Sequence, residues 1–373
     1  MGSLQLLKLD DQHHPWEHEI EHFLKYDEEL VNDIAKSELF CLYVDINSFI
    51  SFNLRVKRNE KLNSLKQKID EVKGNVDYKD ITFLFSFLGE GVHHRSLEPL
   101  IKLLNGVGIT TENIRVLYST YYDVPTNVKT ETFWEFFIKM PVIDFTGENP
   151  FIDKAPSKHF LCLIRQFKPA RFFFFHELIK TTWWNDKSII DLSYGVFNDM
   201  TNHTKMLENI SPEVRELLPI IFDNEYVGNS DQHKTINHEK INQLINIVVE
   251  TFIGRGNPIE GKGFITEKSM KPFFYFQIPI WVAQTNTVKI IRELGFDVFD
   301  DFFENHYYDE IEKTEDRIKE VVKLLDRVLN KNTNLEEFKN LNKARLMNNW
   351  NLLISLDNEN KQTLSKKMRK LLF

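Results

Sequence analysis

The chain has 373 residues, too many for one average domain, and its 42% hydrophobic content, with 31 Phe, is enough for two apolar cores. Its 55 acidic and 47 basic residues give a net charge of −8, which argues against a broad nucleic-acid-binding surface. No apolar run approaches the roughly 18 residues of a membrane span, so a chain without stable membrane insertion is expected.

The start, MGSLQLLKLDDQ, lacks the length and flanks of a signal peptide, and Gly2 is not followed by Ser or Thr at position 6, where Leu6 stands. A cytoplasmic protein is the expectation. Cys41 and Cys162 both sit inside apolar runs and read as core thiols of a reducing compartment. Residues 1–37 read as an N-terminal helical extension. In it His14, His18 and His22 recur every four residues and, with Glu21, have the spacing of a zinc site on one helix face. No second ligand cluster accompanies them. The favoured reading is a solvated amphipathic helix with Trp16, Ile20, Phe23 and Leu24 inward, and no metal is expected.

Residues 38–150 read as a first Rossmann-like domain. Leu39–Ile46 and Ile81–Leu88 are buried-strand runs with a charged helical stretch, 55–73, between them, which predicts a parallel sheet. A helix over Glu98–Leu104, a strand over Ile114–Tyr118 and a helix over Thr130–Lys139 follow. Between the second strand and its helix lies Gly89-Glu90-Gly91-Val92-His93-His94, a carboxylate between two glycines with two histidines behind it. Asp45, at an earlier strand end, is a weaker candidate of the same kind, because Asp there is also ordinary turn chemistry.

Residues 145–157 concentrate Gly, Pro, Asn and Asp and form the expected linker to a second Rossmann-like domain, 151–305. His159–Ile164 is its first strand. Arg165, Lys168, Pro169 and Arg171 come next, before a helix over Phe172–Ile179, with Pro169 suited to a first helical turn. A strand, a basic turn and a helix start outline an anion site in which Arg165 and Arg171 are the candidate clamp. Ile189–Leu192 is a further strand, Pro212–Leu218 a helix and Asn224–Asn237 a polar excursion.

The stretch from Ile245 to Phe299 reads as βαβαβ. Ile245–Val249 is an apolar, β-branched run ending at Glu250. The loop over 254–263 is rich in glycine but lacks the third glycine of a dinucleotide fingerprint, and a lid over a ligand suits it better. Thr266 offers a hydroxyl N-cap with Glu267 in the first turn, and Pro272 must kink or end the helix. Ile278–Val282 is the next strand, Thr285–Leu294 a helix closed by Gly295, and Phe296–Phe299 a third strand. Ligands of such units sit outside the carboxyl ends of the strands, where Glu250, Thr266, Glu267 and Lys268 fall together.

Val249-Glu250-Thr251, then Phe264-Ile265-Thr266-Glu267-Lys268 and a helix leading to Gln277-Ile278-Pro279-Ile280, resembles the donor-binding segment of fucosyltransferase-type GT-B glycosyltransferases. It is also similar to relatives of that type encoded by viruses and phages, which would place the chain in a host cytoplasm. The resemblance implies an α/β fold of two Rossmann-like domains with parallel sheets facing a cleft. It further implies that Glu250 faces the transferred sugar, Glu267 the nucleotide ribose and Lys268 the pyrophosphate. Thr251 stands where the family carries asparagine.

The activity implied is transfer of a sugar from a nucleotide-diphosphate sugar to a glycan or small-glycoside hydroxyl, inverting, with no cofactor and no metal. Arg165, Arg171 and Lys268 would then neutralise the leaving diphosphate. The general base such a transfer needs is Glu90, with His93 or His94 as substitutes. Two rival readings use the same segment: a phage-type transferase acting on nucleic-acid bases, and a non-catalytic nucleotide-sugar binder. Residues 306–373 read as helices through Asn330, over Leu335–Leu346 and over Thr363–Leu372, the last packing back on the first domain.

Overall fold

A computed structural model describes residues 3–7, 28–37, 40–45, 66–71, 73–87, 101–102, 104–106, 108–118, 127–132, 151–164, 168–194, 214, 216–217, 241–251, 253–254 and 265–373. The chain divides into two compact units, Met1–Phe136 with Asn358–Phe373, and Phe137–Asp357. Among the described residues no helix is long and apolar enough to cross a membrane.

The first unit is a five-stranded parallel sheet whose strands, β1 (Ser3–Leu7), β2 (Phe40–Asp45), β3 (Ile81–Phe87), β4 (Ile114–Tyr118) and β5 (Lys129–Thr132), lie in chain order. Ile81, Phe83, Leu84 and Phe85 of β3 are fully buried, which is why this strand is a continuous apolar run rather than an alternating one. Two expectations are corrected here. The N-terminal extension is not all helical, because Ser3–Leu7 pairs in parallel with β2, Ser3 opposite Phe40, before helix α1 (Glu28–Lys36). The helix expected from Thr130 is a strand at its start, with Thr130 opposite Val116 and Thr132 opposite Tyr118. β-branched threonines suit that edge, and the free backbone groups of β4 supply their partners.

The second unit holds a four-stranded parallel sheet in the order β7-β6-β8-β9, from β6 (Lys158–Ile164), β7 (Ile190–Tyr194), β8 (Gln243–Val249) and β9 (Ile278–Val282). After β6 the chain moves one way to β7, then crosses back to β8 on the other side and continues to β9. The strand order therefore reverses between β6 and β8. Helix α2 (Pro169–Leu178) starts with Pro169, whose missing N–H costs nothing in a first turn, and buries Phe174, Phe175 and Leu178. Helix α3 (Glu267–Phe274) is capped by Thr266 and stops two residues after Pro272. Gly295, at φ +94°, ends helix α4 (Thr287–Glu293) as expected.

Phe296–Phe299 is not a third strand. Its backbone groups go elsewhere: Asp297 N donates to Asn349 Oδ1 at 2.7 Å, Asn349 Nδ2 donates back to Asp297 O at 2.8 Å, and Phe299 N donates to Asp297 Oδ1 at 2.8 Å. With Phe299 at φ +59°, the segment turns instead of extending. The expected linker is likewise packed in its second half. Phe151 is buried edge-on against Tyr275 at 5.1 Å, and Lys339 Nζ donates to Phe151 O at 2.6 Å and Lys154 O at 2.8 Å.

Helix α5 (Thr314–Asn330) buries Ile318, Val321, Leu324, Leu325 and Val328. The helix expected over Leu335–Leu346 is divided at Asn342 into the short α6 (Leu335–Leu341) and the start of α7, which runs unbroken from Lys343 to Leu372 and takes in the helix expected over Thr363–Leu372. Its residues from Asn358 belong to the first unit. There Arg115 Nε donates to Leu371 O at 2.9 Å, and Lys370 pairs with Glu131 at 2.5 Å, so the end of the chain does pack back on the first sheet. Cys41 and Cys162 are buried, and burial pushes the Cys41 thiol up to about 12.

Candidate functional site at the carboxyl ends of β6 and β8

In an open parallel sheet, the place where strand order reverses leaves a crevice between the two diverging connections. In the second unit those connections follow β6 and β8. β8 ends at Val249, and Glu250 N still donates to Val282 O at 3.0 Å, so Glu250 leaves the sheet in register with the end of β9.

The Glu250 side chain is fully buried and each of its oxygens takes two donors. Oε1 accepts from Thr266 N at 3.1 Å and Ser269 Oγ at 2.6 Å; Oε2 accepts from Thr251 N at 2.9 Å and Thr266 Oγ1 at 2.7 Å. The carboxylate thus lies against the first turn of α3, where the helix dipole favours an anion. Ser269 Oγ in turn accepts from Trp281 Nε1 at 3.2 Å. The resemblance sets Glu250 against a sugar; in the folded chain its oxygens are instead engaged by protein donors, and it acts as a brace between β8 and α3.

Lys268 projects over this brace. Its Nζ lies 2.7 Å from Glu267 Oε1, 3.3 Å from Thr251 Oγ1 and 3.4 Å from Thr266 Oγ1, with its side chain 30% exposed. From the β6 side, Lys168 Nζ donates to Thr251 O at 3.4 Å, and the buried Arg171 donates through Nε to Glu250 O at 3.1 Å. Three basic side chains from two β–α connections therefore meet at Glu250 and Thr251. Against these three positive charges stand the carboxylates of Glu250 and Glu267, and α2 adds no acidic residue in its first turn, so the formal charge of the described groups in this corner is positive by one.

Of the residues expected from sequence, the fold brings together Arg171, Glu250, Thr266, Glu267 and Lys268. Arg165, Glu90, His93, His94, the histidines of the N-terminal segment and most of the 254–263 loop lie outside the described residues. Asp45 ends β2 in the first unit.

Sequence reading missed three supports of this corner. Ser269 is one, for nothing marks a lone serine in a helix as a ligand of a buried carboxylate. Arg317 is another: Nε donates to Ala283 O at 3.0 Å, Nη2 to Ile253 O at 2.6 Å, and Nη1 to Ile311 O and Glu312 O, which ties the segments after β8 and β9 to α5. Burial lowers its pKa. A signal existed, since Arg317 lies four residues before the buried Val321 and so falls on the apolar face of α5. The third is Asp309, which accepts from Val288 N at 3.1 Å and Lys289 N at 3.0 Å and so caps α4. Burial raises its carboxyl to about 6, against the opposing pull of those two backbone bonds.

No protein-family model matches the chain, and no curated protein matches it. Among solved structures, the crystal structure of an alpha,alpha-trehalose-phosphate synthase (UDP-forming) from Burkholderia vietnamiensis is similar over 95% of this chain and 78% of that chain, at a TM-score of 0.42 and 10% identity. A likeness that distant carries no argument for this chain. The two parallel sheets and the basic corner at the strand-order reversal stand on their own.

Proposed function

We propose that the corner at the carboxyl ends of β6 and β8 binds the diphosphate of a nucleotide sugar, and that the chain is a glycosyltransferase of the GT-B, fucosyltransferase-like kind. The observation that carries this reading is the convergence of Lys168, Arg171 and Lys268 on Glu250 and Thr251 where the strand order reverses. Anions gather where cations and a helix start coincide, and strand-order reversals are where open α/β sheets take their ligands.

In this reading Lys268 and Lys168 neutralise the charge that grows on the leaving diphosphate, the work a divalent ion does elsewhere. Glu267 receives the ribose hydroxyls and holds Lys268. Glu250 keeps Thr251, Thr266 and the start of α3 in place. The acceptor hydroxyl attacks the anomeric carbon with inversion and gives its proton to a base, for which Glu90, His93 and His94 are the candidates.

Calorimetry with UDP, GDP and ADP tests the reading. One of them binds the parent chain, and Lys268→Ala weakens that binding by about 1.5–3 kcal/mol, the range for a hydrogen bond to a charged group. Transfer from the matching sugar nucleotide continues in chelator. Absence of binding across the panel, or an affinity indifferent to Lys268→Ala, would sink the assignment.

A further inference from the structure

Behind the basic corner lies a chain of buried polar contacts that the resemblance does not supply. Ser269 is fully buried and Trp281 is 1% exposed. The indole N–H is a donor only, so in the 3.2 Å contact between Trp281 Nε1 and Ser269 Oγ the serine must accept. Its single proton is then free for Glu250 Oε1, 2.6 Å away. Trp281 thereby sets the direction of the Ser269 hydroxyl, and Ser269 helps set the rotation of the Glu250 carboxylate. That carboxylate holds Thr251 N and both donors of Thr266, and the hydroxyls of these two threonines accept from the Lys268 ammonium.

Trp281 is itself fixed from both sides. Its backbone N donates to Tyr308 Oη at 3.1 Å, and its ring lies 6.4 Å from Phe273 and 5.8 Å from His306. A polar thread thus runs from the edge strand β9 through α3 to the one basic side chain of this corner that α3 supplies.

We infer that Ser269 and Trp281 are positioning residues for Lys268, holding its ammonium where an incoming diphosphate meets it. The inference rests on the diphosphate reading above. Neither residue touches the ligand. They act by fixing the rotation of Glu250, and through it the Thr266 hydroxyl and the Thr251 backbone, beside which Glu267 Oε1 holds the Lys268 ammonium at 2.7 Å, so that less of the binding free energy goes into ordering a long side chain.

The test is a double-mutant cycle read by calorimetry with the nucleoside diphosphate, among UDP, GDP and ADP, that binds the parent chain. Ser269→Ala weakens binding by about tenfold and Trp281→Phe, which keeps an aromatic ring and removes the N–H, by about threefold. In a Lys268→Ala background neither change weakens binding further. A purely structural role predicts the same factors in both backgrounds, and that additivity would overturn the inference. Should Ser269→Ala fail to fold, the Trp281→Phe arm of the cycle decides alone. If the parent chain binds no diphosphate, or Lys268→Ala has no effect, the diphosphate reading fails and the positioning role falls with it; a Lys268 effect without coupling overturns the positioning role only.

Discussion

Arg171 Nε donates to Glu250 O at 3.1 Å, a buried bond across 79 positions of sequence that joins the first turn after β6 to the end of β8. It pins the two connections that diverge at the strand-order reversal. Arg171→Met keeps much of the side chain's apolar bulk but leaves a buried carbonyl without this donor. A loss of about 1–3 kcal/mol is expected in urea unfolding followed by circular dichroism. A variant as stable as the parent would show that the bond contributes nothing net.

Glu250 holds four donors, so its removal has a larger effect than a single lost bond. Glu250→Ala strands buried donors on Thr251, Thr266 and Ser269 and is expected to cost at least about 3 kcal/mol. Glu250→Gln retains one carbonyl acceptor and loses about half as much. A residue that served only a sugar would show neither loss, and thermal unfolding of the two variants separates the cases.

Asp309 gives stability a pH dependence of definite sign. Burial raises its folded pKa to about 6, above the usual carboxylate value, so the folded state holds the proton more tightly than the unfolded chain does. The associated stability is fully present below about pH 3.9 and is lost as pH rises through 6, by up to about 3 kcal/mol. Asp309→Asn, which retains a capping oxygen, is expected to flatten this component of the pH profile of urea unfolding. An unchanged profile would overturn it.

His306 works in the opposite direction. Its Nε2 lies 2.7 Å from Val298 O, which can only accept, so Nε2 carries the proton and Nδ1 accepts from Tyr308 Oη at 3.1 Å. Burial lowers its pKa to about 4, against the Val298 bond and the Asp300 charge, which raise it, while Arg292 lowers it further. The stability associated with the neutral ring is present above about pH 6.5 and is lost as pH falls through 4. His306→Gln is expected to remove that acid-side loss. Because Asp309 and His306 slope oppositely between pH 4 and 6, each is measured in the background of the other's variant.

Much of the second unit was legible in the chain. Apart from the half-buried Asn246, which donates to Gln277 Oε1, the run Ile245–Val249 is β-branched and apolar because β8 is buried on both faces, and Ile278–Val282 is β9 residue for residue. Thr266, Pro169 and Gly295 stand where capping, a first helical turn and a left-handed stop need them. These signals are local: a helix or strand declares itself through neighbours a few positions away. Two of the misread segments have the same explanation in reverse. Lys129–Thr132 is too short and polar to announce itself, and its partner β4 supplies what its own sequence lacks. Phe296–Phe299 has a strand's apolar character, but Asn349, a residue of α7, takes its backbone groups first.

By itself the sequence determined the parallel α/β character, the strands β8 and β9, the capped start of α3, and the set of residues Arg171, Glu250, Thr266, Glu267 and Lys268 that share one corner. Only the tertiary structure decided what each does there. It set the order β7-β6-β8-β9, which brings Lys168 and Arg171 beside Thr251 and Glu250. It also turned the Glu250 carboxylate inward onto Thr266 and Ser269. The physical reason is that residue type records which groups a chain carries. The partner a buried carboxylate finds depends on donors 16 and 19 positions away and on the elements that deliver them.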